Sequence, residues 1–191
     1  MKKSLTLLVL LLFAFATLTF AQTTPPLSEV VLKEAYTKAK KENKKVLLMF
    51  HASWCGWCKK MDASLTDVTT RKFFDDNYVI AHLDVQEQPA QKALENPGAA
   101  EQLKAFKGEK SGLPFWVILD DKGKVLADSQ IRPAGASLDT YGENIGCPAA
   151  DNEVAHFTQL LKNTSKLTDD QLSIISKRFA QNKPTPRPAA N

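Results

Sequence analysis

The chain has 191 residues and a formal net charge of +4, and this length suits one domain with a substantial core. Loss of the two lysines in the leader described below lowers the charge from +4 to +2. The sequence therefore offers no electrostatic reason to expect nucleic acid or an anionic membrane surface as a partner. The chain contains 3 cysteines, and an odd number excludes a small scaffold stapled only by disulfides.

The first residues have the pattern of a secretory leader. Lys2 and Lys3 form a basic region, residues 5–20 are mostly apolar, and Ala21 supplies a small residue after which cleavage is expected. An uncleaved membrane anchor is the alternative, but the apolar run is short for the roughly 20 residues that a span needs, and a polar segment follows it. We expect residues 1–21 to be a signal peptide, so that a protein without a stable membrane span is exported to the periplasm or secreted.

Helices and strands alternate along the rest of the chain. Periodic apolar residues predict an amphipathic helix over residues 28–43, and a continuous apolar run predicts a buried strand over residues 46–50. The elements expected after these are a helix following Cys58, a short helix at 71–76, a strand at 78–85, a helix at 97–107, a hairpin at 114–128, and helices at 151–162 and 168–179. This order predicts an α/β chain with a right-handed crossover between parallel strands, to which the hairpin adds antiparallel ones.

A C-x-x-C pair separates the first predicted strand from the helix after it. Cys55 stands at the expected helix start, where free backbone N–H groups and the helix dipole stabilise a thiolate. Cys58 follows one turn later, within reach of a mixed disulfide at Cys55. The pattern indicates a redox dithiol. An inert disulfide is one alternative, and another is a metal site, in which thiolates would suit Cu(I) and His51 could join.

Two segments of the chain resemble the thioredoxin-like family. Residues 50–61, with the motif W-C-G-W-C-K, resemble the family's strand, W-C-x-x-C-K and helix. Residues 112–114, Gly-Leu-Pro, precede an apolar strand and resemble the family's cis-proline loop. The chain is similar to exported bacterial members, such as the periplasmic electron-relay domains of disulfide reductases. The resemblance implies a thioredoxin fold, with a mixed central sheet flanked by helices and an extra C-terminal helix.

The resemblance also divides the chain into segments and implies a function. The expected segments are a linker at 22–27, a thioredoxin-like domain at 28–163, a helical extension at 164–181 and a disordered, proline-rich tail at 182–191. The implied function is that of an exported thiol–disulfide oxidoreductase, which reduces or exchanges disulfides in periplasmic proteins and receives electrons from a membrane-bound donor. We expect no cofactor besides the cysteine pair and no metal. The alternative is a non-catalytic module of the same fold that binds copper or a client protein.

The resemblance further assigns residues to a substrate-binding wall. Pro114 is expected to be cis and to lie against the dithiol, and the backbone of Leu113 to pair with an extended substrate segment. Trp54, Gly56 and Trp57 complete the expected substrate-binding set, since they lie beside and between the two cysteines. For the two tryptophans the alternative is plain aromatic packing.

Proton transfer departs from the pattern of the family. Many thioredoxins carry a buried acid six residues before the first cysteine, and Met49 fills that position here. Asp62, four residues after Cys58 on the same helical face, is a candidate acceptor for the Cys58 proton, although it could equally be an exposed helical aspartate. His51 is a second candidate, because a charged imidazole would favour the Cys55 thiolate. A half-buried packing histidine is its alternative.

Cys147 is the cysteine left outside the motif. It lies in a Gly-Cys-Pro sequence within a predicted loop. We favour a buried spare thiol, because small buried cysteines are common. A resolving cysteine and an intermolecular bridge are the other two interpretations.

Overall fold

The computed structural model describes residues 24–184. The predicted signal peptide and most of the predicted tail lie outside these described residues. Between residues 24 and 184, none of the helices combines the length and the apolar character needed to cross a membrane.

A four-stranded mixed sheet forms the centre of the molecule. Its strands are β1 (Lys45–His51), β2 (Tyr78–Asp84), β3 (Phe115–Leu119) and β4 (Val125–Asp128). They lie in the order β2-β1-β3-β4. β2 pairs with β1 in parallel, whereas β3 is antiparallel to both of its neighbours. The parallel crossover and the added hairpin are confirmed.

Within residues 24–184, six α-helices flank the sheet. They are α1 (Ser28–Glu42), α2 (Gly56–Leu65), α3 (Arg71–Asn77), α4 (Ala99–Ala105), α5 (Asp151–Thr164) and α6 (Asp169–Ala180). Apolar residues of α1 and α4 cover one face of the sheet, and those of α2, α3, α5 and α6 cover the other. The predicted fold, a mixed sheet flanked by helices with a C-terminal helical extension, is confirmed.

The two central strands are buried on both faces. Residues 46–50 of β1 and 115–119 of β3 are all fully inaccessible to solvent. This burial is the reason that both segments appear as continuous apolar runs rather than as alternating patterns. The carboxyl end of β1 leads directly into the C-x-x-C motif, so the core holds the motif in place.

The segment from 86 to 107 differs from its prediction. The structure places a short 3₁₀ helix at Pro89–Leu94 before α4, which begins at Ala99 rather than at residue 97. Gly98 precedes α4 with φ of +83°, a conformation that favours glycine. A Cβ on Gly98 would also lie 2.7 Å from Ser28 Oγ. Backbone geometry at Gly98 therefore sets the start of this helix.

The predicted loop between the hairpin and α5 contains a short ladder. β5 (Gln130–Ile131) pairs antiparallel with β6 (Glu143–Asn144). Asp128 and Arg132 anchor it through two hydrogen bonds of 2.7 Å each. Two residues per strand are too few to produce a periodic pattern, so the sequence did not reveal this ladder.

The helical extension begins as its sequence predicts. Thr168 Oγ1 accepts the backbone N–H of Gln171, whose side chain accepts the N–H of Thr168 in return; these reciprocal bonds form a capping box. Asn182, however, is 6% exposed and donates to Ser64 Oγ at 2.9 Å and to Cys147 Sγ at 3.3 Å. Asn182 thus belongs to the folded part and not to the predicted tail, because its amide satisfies buried polar groups.

Candidate active site

The cysteine pair lies at the N-terminus of α2. Cys55 and Cys58 form a disulfide with an S–S distance of 2.05 Å. Cys55 is the residue that caps the helix, and its Sγ accepts the backbone N–H of Cys58 at 3.1 Å. Both cysteines are buried, Cys55 at 3% exposed and Cys58 at 1%. The helix terminus favours a negative charge on the Cys55 sulfur.

Two tryptophans form an exposed apolar rim beside the disulfide. Trp54 is 48% exposed and Trp57 is 40% exposed. The Trp54 indole donates to the carbonyl oxygen of Gln86 at 2.8 Å. Lys60 Nζ lies 4.4 Å from the centroid of the Trp57 ring. These contacts leave much of each indole open to solvent, so neither ring is part of the packed core.

A buried carboxylate holds the loop that precedes Cys55. Glu87 is 6% exposed, and it accepts the backbone N–H of Ser53 at 2.6 Å and the Ser53 hydroxyl at 2.7 Å. Glu87 cannot be recognised from the sequence, because an acidic residue after a strand ordinarily indicates a solvated loop. Glu87 follows β2 and Ser53 follows β1, so the two residues meet only because these strands pair in parallel.

The Gly-Leu-Pro loop lies against the dithiol. The peptide bond Leu113–Pro114 is cis, as the resemblance implied. Leu113 packs against the small buried cluster formed by Ala52, Cys55 and Cys58. A groove of about 240 Å³ adjoins the loop. Its lining includes Trp57, Leu113, Asn144, Gly146, Cys147 and Glu153.

Four polar side chains form a cluster at the carboxyl ends of β1 and β2. Register places His82 beside Met49 and Asp84 beside His51, so the side chains of His51, His82 and Asp84 point to the same face of the sheet. His82 Nε2 and Asp62 Oδ1 are hydrogen-bonded at 2.9 Å. His51 Nε2 lies 3.2 Å from Asp84 Oδ1, and the centroids of the two imidazole rings are 4.9 Å apart. The structure thus joins the two predicted candidates, Asp62 and His51, to two residues that the sequence analysis did not select.

Burial dominates the electrostatics of one half of this cluster. It lowers the pKa of His51 and raises the pKa of Asp84, so the loss of water outweighs the mutual attraction of the pair. The approach of Asp84 Oδ1 to His51 Nε2 lacks the geometry of a hydrogen bond, and no other group among residues 24–184 bonds to this nitrogen. The lowered pKa disfavours a charged imidazole at His51, and a role for His51 in proton transfer stays a prediction.

Cys147 is a free, buried thiol. It is 4% exposed, and burial raises its pKa to about 12. Its sulfur accepts the amide of Asn182. These properties agree with the favoured interpretation of a spare thiol.

Over the described part of the chain, no group of three or more His, Cys, Asp or Glu side chains is arranged to hold a metal ion.

The chain belongs to the thioredoxin-like domain family, whose model matches residues 32–134. It is 32% identical over 106 residues to protein disulfide isomerase-like 2-2 of Oryza sativa subsp. japonica, across 53% of this chain and 27% of that protein. It is 37% identical over 59 residues to a protein disulfide-isomerase of Zea mays, across 31% of this chain and 12% of that one. The chain therefore spans only a minor part of these plant relatives.

A solved structure of similar extent is that of a disulphide isomerase from Xylella fastidiosa Temecula1. The match covers 87% of this chain and 97% of that one, with 19% identity and a TM-score of 0.46. The family match and the pair at Cys55 and Cys58 define a thioredoxin-like disulfide oxidoreductase fold.

Proposed function

We propose that this protein is an exported thiol–disulfide oxidoreductase that reduces or exchanges disulfides in periplasmic proteins through Cys55 and Cys58. The observation that carries the proposal is the position of Cys55, whose sulfur caps α2 and which belongs to the buried cluster against which Leu113 packs. There the helix N-terminus favours the reactive thiolate. Support at the level of the family comes from curated relatives that are named disulfide isomerases.

The exchange reaction has two steps. The Cys55 thiolate attacks one sulfur of a substrate disulfide, forms a mixed disulfide, and releases the other substrate sulfur as a thiolate that takes a proton. Cys58, as a thiolate, then attacks the Cys55 sulfur. This closes the disulfide between the two cysteines and releases the first substrate sulfur. Two electrons pass to the substrate, so a dithiol donor must return two electrons before the next cycle.

Cys58 must lose its proton before the second step, and the pair formed by Asp62 and His82 is the proposed acceptor. Asp62 lies one helical turn after Cys58 on the same face of α2, and Met49 leaves no acid at the position that many thioredoxins use. The hydrogen bond of 2.9 Å from His82 Nε2 to Asp62 Oδ1 holds the carboxylate in one orientation. The proton passes directly or through a water molecule.

The proposed substrate surface consists of the aromatic rim and the Gly-Leu-Pro loop. Trp54, Gly56 and Trp57 contribute the apolar part. The backbone N–H and C=O of Leu113 make no hydrogen bond within residues 24–184, which leaves them free to pair with an extended substrate segment. Pro114 borders this segment.

Export and the electron donor complete the proposal. Export rests on the leader pattern of residues 1–21. A chain that acts outside the cytoplasm needs a donor that crosses the membrane, and for this reason we propose a membrane-bound thiol protein.

Trapping a mixed disulfide tests the proposed chemistry. The variant Cys58→Ala, once reduced, should form a stable mixed disulfide with insulin at Cys55, because the resolving thiol is absent. Peptide mapping locates the linkage, and Cys55→Ser serves as the control that forms none. Absence of an adduct, or an adduct at Cys147, would contradict the assignment of nucleophile and resolver.

A further inference from the structure

One side chain from outside the active-site helix holds the Gly-Leu-Pro loop. Asn144 Nδ2 donates to the carbonyl oxygen of Gly112 at 2.7 Å and to that of Pro114 at 3.2 Å. These two carbonyls flank Leu113, and a primary amide carries two N–H donors, so one group serves both acceptors. The loop is therefore fixed on both sides of Leu113, while the backbone of Leu113 itself remains unpaired within the described residues.

Chemistry determines which way the Asn144 amide points. Its Oδ1 accepts the backbone N–H of Gly146 at 3.2 Å. In the flipped orientation, Oδ1 would face the two carbonyl oxygens of the loop and Nδ2 would face an N–H group, which is unfavourable at all three contacts. Asn144 thus uses both donors and its acceptor at once.

The fold holds Asn144 in place independently of the dithiol. Asn144 is paired with Gln130 in the ladder of β5 and β6. The ladder is anchored by the ion pair of Asp128 and Arg132, whose side chains are 2% and 6% exposed. Next along the chain, Gly146 lies so close to the loop that a Cβ there would be 3.4 Å from the carbonyl oxygen of Pro114. These contacts therefore hold the backbone of Asn144 in place, and its side-chain amide bonds to the loop from that fixed position.

We propose that Asn144 is a positioning residue for disulfide exchange with polypeptides. It holds the carbonyls of Gly112 and Pro114 so that the Leu113 backbone is presented to a substrate segment that adds as a strand. The inference rests on the proposed function. Asn144 should then affect disulfides that are flanked by an extended polypeptide, and it should not affect a small disulfide that has no peptide backbone.

Two substrates separate positioning from a general loss of structure. The variant Asn144→Ala is compared with wild type on insulin and on 5,5′-dithiobis(2-nitrobenzoate), a small aromatic disulfide. We expect KM for insulin to rise about five- to tenfold, the effect of one or two lost hydrogen bonds, and the reaction with the small disulfide to stay within about twofold. The matched control is Asn152→Ala, an exposed asparagine at the start of α5, which should match wild type on both substrates.

A second variant tests whether the effect of Asn144→Ala comes from a lost side-chain volume rather than from the lost donors. Asn144→Asp keeps the size of the side chain and an acceptor for Gly146 but removes both donors. It should therefore also raise KM for insulin while leaving the reaction with the small disulfide nearly unchanged. Equal losses on both substrates, or no loss on insulin, would overturn the positioning role. A wild type that reduces neither disulfide would overturn the proposed function and this inference together, whereas a wild type that reduces both leaves only the role of Asn144 at stake.

Discussion

Asp62 Oδ1 lies 2.9 Å from His82 Nε2, and this bond joins α2 to β2 across a separation of 20 residues. It places a carboxylate with a fixed partner one helical turn beyond Cys58. Replacement of Asp62 by Asn removes the proposed proton acceptor. We expect the rate of insulin reduction to fall by about a hundredfold near neutral pH, the low end of the effect of a general base. Rates measured from pH 6 to pH 8.5 check this.

The control for Asp62 is Asp170→Asn, which changes an exposed aspartate in the first turn of α6 and should leave the rates unchanged. His82→Asn should give an intermediate loss, because the carboxylate stays but loses its partner. Identical rates for wild type and Asp62→Asn over the whole pH range would remove Asp62 from the mechanism.

The pKa of His51 predicts how stability depends on pH. Burial lowers it below the ordinary value of 6.5, so the unfolded chain binds this proton more readily than the folded protein does. The contribution of His51 to stability is therefore present above about pH 6.5 and declines as the pH falls below that value toward the lower pKa of the folded state. His51→Phe should show a smaller decrease in Tm between pH 7.5 and pH 5.5 than wild type.

His156 provides the comparison for His51. Burial also lowers the pKa of His156, so His156→Phe should reduce the same decrease in Tm, and some pH dependence should remain in each single variant. A decrease in Tm as large in His51→Phe as in wild type would show that His51 does not contribute.

Glu87 should stabilise the loop before the dithiol. Glu87→Ala leaves the backbone N–H of Ser53 without its acceptor, and we expect the free energy of unfolding to fall by about 1–3 kcal/mol. Glu87→Gln keeps an acceptor oxygen of similar position, so its loss should be smaller. Urea denaturation measures both, and equal stability of Glu87→Ala and wild type would contradict the prediction.

Cys147 should resist alkylation in the folded protein. With its pKa raised to about 12, only about one molecule in ten thousand carries the thiolate at pH 8, and the thiolate is the reactive form. Iodoacetamide should therefore label Cys55 in the reduced native protein and reach Cys147 only after unfolding in urea. Mass spectrometry that finds both cysteines labelled at similar rates before unfolding would refute this.

Local signals explain why the sheet, the helices and the dithiol can be predicted from the sequence. Burial on both faces makes β1 and β3 continuous apolar runs, and the C-x-x-C spacing describes a helix start by itself. His82 and Asp84 escape prediction because only the pairing of β2 with β1 brings them to Asp62 and His51. Their spacing of two residues on a mostly apolar strand was the one available signal.

Two other residues could not be found for similar reasons. Asn144 lies in a ladder of two residues per strand, too short to produce a pattern. Glu87 is an acid after a strand, and nothing in the neighbouring sequence indicates that it will be buried and hydrogen-bonded to Ser53. Both depend on long-range contacts, which a single sequence does not reveal.

Insulin reduction by dithiothreitol tests the central claim most directly, with wild type, Cys55→Ser and Cys147→Ser compared at equal concentration. The proposed function predicts that wild type and Cys147→Ser accelerate insulin precipitation equally, while Cys55→Ser stays at the rate of dithiothreitol alone. A Cys55→Ser variant as fast as wild type, or a wild type no faster than dithiothreitol alone, would contradict it.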